Sequence, residues 1–130
     1  MEEHLKAKCF VKAERDAAIF MGIDGDNDLE MNLTNTTDQD FIYADLDGIS
    51  KLIRNLKRLR KDKIDSFDHP CVVSDEDVLV FEKSTFGDWY NITTYREGST
   101  VLESAIDRKG LKQLRKELKG LRKIMREGAE

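Results

Sequence analysis

Residues 44–61 and 106–123 repeat one another at an offset of 62. Asp45 falls on Asp107, Gly48 on Gly110, and the apolar positions Ile49, Leu52, Leu56 and Leu59 on Leu111, Leu114, Leu118 and Leu121; both stretches close on Leu-Arg-Lys. Cys9-Phe10-Val11 aligns with Cys71-Val72-Val73 at the same offset. Ala18-Ile19-Phe20 aligns with Leu79-Val80-Phe81 and Asn32-Leu33-Thr34 with Asn91-Ile92-Thr93 after shifts that hairpin loops absorb. A chain of 130 residues that is a duplication has about 60 residues per unit, too few for each to bury a core of its own. The two units must therefore share one core, related as the subunits of a homodimer are.

Each unit reads as strands followed by one helix. Alternation marks strands near 6–13, 17–23, 29–35 and 40–44, then near 70–74, 77–83, 88–95 and 99–105; it is cleanest in Leu29, Met31 and Leu33 and in Trp89 to Tyr95. Asp24-Gly25-Asp26-Asn27 and Glu97-Gly98 are turns. Asp45 and Asp107 stand where an N-cap carboxylate accepts the free amides of a first turn. The apolar stripes behind them, ending at Leu59 and Met125, give each helix one buried seam, expected against its own sheet. The predicted fold is α+β, two units of three to four antiparallel strands and a helix packed about a pseudo-twofold axis: residues 1–62, a linker 63–70, and residues 71–130, forming one domain.

Charge is segregated. Residues 51–63 hold seven Lys/Arg against one Asp and residues 108–126 hold nine against Glu117, so the helices carry +6 and +8; a net charge of −4 leaves −18 for the remainder. Basic helix faces and acidic turns attract copies of one another, which predicts salt-sensitive self-association. With 39 % hydrophobic residues, no long apolar run and an acidic N-terminus without the basic and apolar parts of a secretion signal, the expectation is a cytoplasmic protein (host cytoplasm if viral) with no membrane contact.

Catalytic and metal patterns fail on spacing. Asp24 to Glu30 opens like a calcium loop, but Leu29 stands at its sixth position and Asn35 at its twelfth. Cys9, Cys71, His4 and His69 lack a close Cys pair, and the two cysteines read as buried small residues on equivalent strands. No phosphate loop, nucleophile elbow or zinc-protease motif occurs. The expectation is no enzyme, no cofactor and no metal.

Two binding readings remain. The first is a protein partner held by the aromatic hairpin Trp89, Tyr90 and Tyr95 and by the acidic turns Asp24, Asp26 and Asp28 and Asp75, Glu76 and Asp77, as in a phage or bacterial inhibitor, immunity or accessory factor. If one unit carries the contact surface, it is the second. The alternative is an anion, nucleic acid or a nucleotide-like phosphorylated ligand, held by Arg54, Arg58, Arg60, Arg115 and Arg122. Four strands and a helix in duplicate, with Ser99 to Asp107 running into Leu111, Leu114 and Leu118, is similar in organisation to the Whirly single-stranded-DNA binders. That resemblance implies DNA on a sheet face bearing aromatic and basic residues. Here the strands are acidic and the helices basic, so the chain is not assigned to that family.

Overall fold

The computed structural model describes residues 5–74 and 76–129. Strands β1 (Lys6–Lys12), β2 (Ala18–Ile23), β3 (Leu29–Thr34) and β4 (Gln39–Ala44) form one antiparallel meander, followed by helix α1 (Leu46–Arg60). Strands β5 (Ser66–Pro70), β6 (Asp77–Lys83), β7 (Trp89–Arg96) and β8 (Ser99–Asp107) form a second, followed by α2 (Arg108–Gly128). The duplicated α+β architecture is thus present, with two tandem units and their helices in contact. No helix of the described residues is long and apolar enough to cross a membrane.

The helices begin where their caps dictate. Asp45 Oδ1 accepts from the Gly48 amide at 2.8 Å, and Asp107 Oδ1 from the Gly110 amide at 2.6 Å. Ile49, Leu52, Ile53, Leu56 and Leu59 of α1 and Leu111, Leu114, Leu118, Leu121 and Met125 of α2 are buried. Each such side chain contributes roughly 1.5–3 kcal/mol of transfer free energy. Their seams meet each other and both sheets: α1 lies on β4 and β5, and α2 on β8, β7, β1 and β2. Each helix therefore reaches the other unit's first strand instead of resting on its own sheet alone, and one apolar cluster runs through both units.

The pseudo-twofold relation is legible in hydrogen bonds that cross between units. Arg115 Nε donates to the Ile53 carbonyl at 3.3 Å, and these two positions are equivalent at the offset of 62, so they lie beside the axis. The Glu14 amide donates to the Ala105 carbonyl at 2.8 Å, and the Val72 amide to the Tyr43 carbonyl at 2.9 Å; Tyr43 and Ala105 are again equivalent. Each hairpin loop thus satisfies one carbonyl on the edge of the other unit's last strand and covers part of that edge. The helix C-termini are capped across the units too. Asn27 Nδ2 donates to the Met125 carbonyl at 2.8 Å, and Arg108 Nη1 to the Arg60 carbonyl at 2.9 Å.

Strand pairing corrects the equivalences expected earlier in the chain. Val11 pairs with Ile19 where His69 pairs with Leu79, and Met21 pairs with Met31 where Phe81 pairs with Ile92. The offset is therefore 58 in the first strands, 60 in the second, 61 in the third and 62 from the fourth onward. Cys71 matches Ala13, not Cys9: the Ala13 amide donates to the Ala17 carbonyl and the Cys71 amide to the Asp77 carbonyl. Cys71 lies one residue beyond β5, and Cys9 matches Phe67. Residues 66–70 of the expected linker are a strand, and 71–74 are not.

Glu30, Asp40, His69 and Thr94 are the buried polar or charged residues among those described, and two of them bear on stability. Asp40, 2 % exposed, accepts from Arg96 Nη2 at 3.1 Å, while Arg96 Nε donates to Asp77 at 2.9 Å. Asp40 stands where the second unit has Leu102. Asp40 also accepts from the Phe41 amide at 2.9 Å, so Arg96→Ala should cost about 1–3 kcal/mol in chemical denaturation by removing the charged partner of a buried carboxylate, and adding Asp40→Leu should recover most of it. His69, in the place of Val11, is buried beside Gly48 of α1, and burial lowers its pKa below the ordinary 6.5, with Asp45 opposing and Lys51 assisting. The unfolded chain then takes up the proton first as pH falls. Stability should be full above 6.5 and decline below it. His69→Val should flatten the decline of stability as pH falls below about 6.5.

Candidate functional site

The aromatic hairpin is not one surface. Trp89 is 44 % exposed at the start of β7, Tyr90 is 1 % exposed in the core, and Tyr95 is half-buried near the other end of the strand. Alternation does place Trp89 and Tyr95 on one face and Tyr90 on the other, but six residues of strand separate the first two by about 20 Å. Tyr90 is therefore withdrawn as a contact residue. Trp89 walls a cleft of about 410 Å³ between the units, with Glu14, Asp16, Asn35 and Glu103 also lining it. Asn35 Nδ2 ties that cleft shut at one side by donating to the Glu103 carbonyl at 3.0 Å.

The acidic turns are largely committed to the fold. Asp24 Oδ1 accepts from the Asp26 and Asp28 amides at 2.9 and 3.0 Å, closing the turn whose Asn27 takes the left-handed conformation and caps α2. Burial, then the charges of Asp24, Asp45 and Asp26, raise the pKa of Asp28. Asp77 is held by Arg96, the Glu76 carbonyl accepts from the Glu97 amide, and Asp75 lies outside the described residues. Of the partner-binding set, Trp89, Asp26 and Glu76 are exposed.

A larger aromatic feature lies on the outer face of the first sheet. Phe10 pairs with Phe20, Phe20 with Asn32, and Asn32 with Phe41, so the four side chains form one row across all four strands. Phe10, Phe20 and Phe41 are 59 %, 47 % and 38 % exposed, and the Phe10 and Phe20 rings stack with centroids 5.6 Å apart. The equivalent row of the second sheet is Asp68, Val80, Thr93 and Glu103. The first unit, not the second, carries the aromatic face. Its signal was in the sequence: Cys9 and Val11, Ile19 and Met21, and Asp40 and Ile42 flank the three phenylalanines and point inward, so the phenylalanines point out.

The helix cations divide. Arg54 and Arg58 are exposed, while Arg60, Arg115 and Arg122 are half-buried. Burial, then Arg126 and Arg115, lower the pKa of the Arg122 guanidinium. Arg60 and Arg115 line a groove of about 480 Å³ together with Lys109, Lys112, Lys116 and Lys119, none of them in the expected anion set; Arg54, Arg58 and Arg122 do not line it. No three His, Cys, Asp or Glu among the described residues are placed to share a metal ion. His4 lies outside the described residues.

No family model matches the chain, and no curated protein matches it.

Neither cysteine is bonded to the other. Burial, followed by the charge and hydrogen bond of Glu117, pushes the Cys9 thiol up to about 11, away from the nucleophilic thiolate. Cys9 should alkylate with iodoacetamide at pH 8 far more slowly than a free thiol. Glu117→Gln should raise that rate severalfold, read by mass of the Cys9 peptide.

Proposed function

We propose that this chain is a non-catalytic binding protein whose partner is a protein seated on the Phe10–Phe20–Phe41 row. The observation that carries it is three exposed phenylalanines on one rung of a sheet, on a surface otherwise rich in charge. Aromatic side chains dominate the buried centres of protein interfaces, and a contiguous apolar patch of this kind costs solubility in a free chain. The rim tells what the partner offers. Lys6 and Lys12 are exposed along β1, so an apolar surface with an acidic border is favoured. An inhibitor, immunity or accessory role fits such a face, and the segregation of charge between helices and turns supports salt-sensitive self-association as well. Single-stranded nucleic acid, which stacks on exposed aromatic rings, is the competing occupant of the same row.

The test is affinity capture from extract of the natural source at moderate salt, with wild type, Phe10→Ser/Phe20→Ser and Val73→Ser as an exposed control elsewhere. One stoichiometric protein should copurify with wild type and the control, and its affinity for the row variant should drop at least about 30-fold, the loss of a single strong anchor. Retention by the row variant overturns the proposal. So does a short single-stranded oligonucleotide that binds wild type and not the row variant, which would give the row to nucleic acid.

A further inference from the structure

We propose that the groove between the last turn of α1 and the first three turns of α2 is a binding site for a small ligand carrying at least two phosphate groups. It lies on other elements than the aromatic row and does not depend on it. Lys109, Lys112, Lys116 and Lys119 follow the spacing that puts residues on one side of a helix. Arg60 reaches in from α1, and Arg115 stands between the helices, anchored through Nε on the Ile53 carbonyl. Six cations therefore face one space of about 480 Å³, and no carboxylate lines it. The nearest acid of α2, Glu117, does not line the groove but is held by Gln113, which does, at 2.7 Å, and by Cys9. Arg60 Nε is buried and has no hydrogen-bond partner. A buried donor on a guanidinium is costly to leave unmade, and an anion oxygen supplies what it lacks.

The duplication supplies an internal control. Gln113 also lines the groove, and rotating the whole set by the offset of 62 gives Arg122 with Asp47, Ser50, Lys51, Ile53, Arg54 and Lys57. There the first lysine is replaced by an aspartate that pairs with Lys51 at 3.0 Å, and the second by a serine. Solvation of a helix face asks the same of both helices, so it does not account for a cluster found on only one. Like charges held together oppose one another, and a bound anion relieves them. The size of the ligand follows from the helix rise. Lys109 and Lys119 are about 15 Å apart along α2, more than a single phosphate spans. A polymer would also run out over the acidic strands and turns, which repel it, so a compact polyphosphorylated molecule is the better fit.

Calorimetric titration at low salt tests this with tripolyphosphate, orthophosphate and a short single-stranded oligonucleotide as probes. Tripolyphosphate should bind at one site per chain, at least about tenfold tighter than orthophosphate. Lys112→Glu/Lys116→Glu should abolish it, and Arg60→Ala should weaken it at least about tenfold. Lys51→Glu/Arg54→Glu, a reversal of two charges in the other groove, should leave it within about twofold, as should Phe10→Ser/Phe20→Ser. All four sets change exposed or half-buried side chains, and circular dichroism confirms the fold of each. Three results overturn the proposal: no saturable binding of tripolyphosphate; equal loss in both charge reversals, which means diffuse attraction; or tighter binding of the oligonucleotide, lost with Lys112→Glu/Lys116→Glu, which means a polymer surface.

Discussion

The packing of α1 against α2 is the contact on which the rest of the chain depends. Neither four-stranded meander covers its own inner face. Leu52, Leu56 and Leu59 meet Leu114, Leu118 and Leu121 in a seam that lies over both sheets, and each helix extends onto the first strand of the other unit. A unit separated from its twin would expose both its helix seam and the inner side of β1 or β5. Hydrogen bonds reinforce the exchange at each end: Asn27 and Arg108 each cap the helix of the opposite unit, and the loops after β1 and β5 each cover part of the last strand of the opposite sheet. These bonds satisfy carbonyls that would otherwise be open, so cooperativity between the units is built in at three levels of structure.

That seam also decides where the charge goes. A helix with one buried stripe must put its remaining residues outward, and here those residues are lysine and arginine. The negative side chains sit in turns and on outer strand faces, several of them already used: Asp24 as a turn acceptor, Asp45 and Asp107 as caps, Asp77 and Asp40 on Arg96. The acidity that looked available for a partner is thus in good part structural. The helix cations have fewer such duties. Arg108 and Arg115 cap carbonyls, while the lysines of α2 face solvent.

Much of this was legible before any coordinates, and the failures have a common cause. Helix signals are local: an aspartate, two residues, a glycine and a leucine repeat give the cap and the seam together, so both helices and their match at 62 were read correctly. Strand equivalence is set by pairing across loops of unequal length, and a slip of one residue exchanges the faces of a strand. Matching Ile19 to Val80 rather than Leu79 makes that slip. Strand β5 was missed because its inward residues are Phe67 and His69, separated by Ser66, Asp68 and Pro70, and Cys-Val-Val directly after it has the stronger strand composition. The groove was half legible. The lysine spacing on α2 is in the sequence, whereas Arg60 joins it only through the crossing of the helices.

A duplication separates what folding needs from what it does not, provided that only exposed positions are compared. The core itself has diverged: Val11 is equivalent to His69, Leu33 to Thr94, Asp40 to Leu102 and Ile42 to Ser104. Such differences compensate one another inside a shared core and say nothing of partners. On the surface no such compensation is required. Phe10, Phe20 and Phe41 against Asp68, Val80 and Glu103, and Lys109 and Lys112 against Asp47 and Ser50, are equivalent in backbone setting and opposite in chemistry. Burial does not demand the phenylalanines, because their counterparts pack the same rung without them. Helix solvation does not demand the lysines, because α1 manages with an aspartate and a serine. A partner on the row and an anion in the groove, as proposed, would each account for one of these differences, and the two features lie on different elements, the sheet face of the first unit and the helix of the second. The proposed partner and the proposed anion would therefore sit on different elements, and neither would have to displace the seam between the helices.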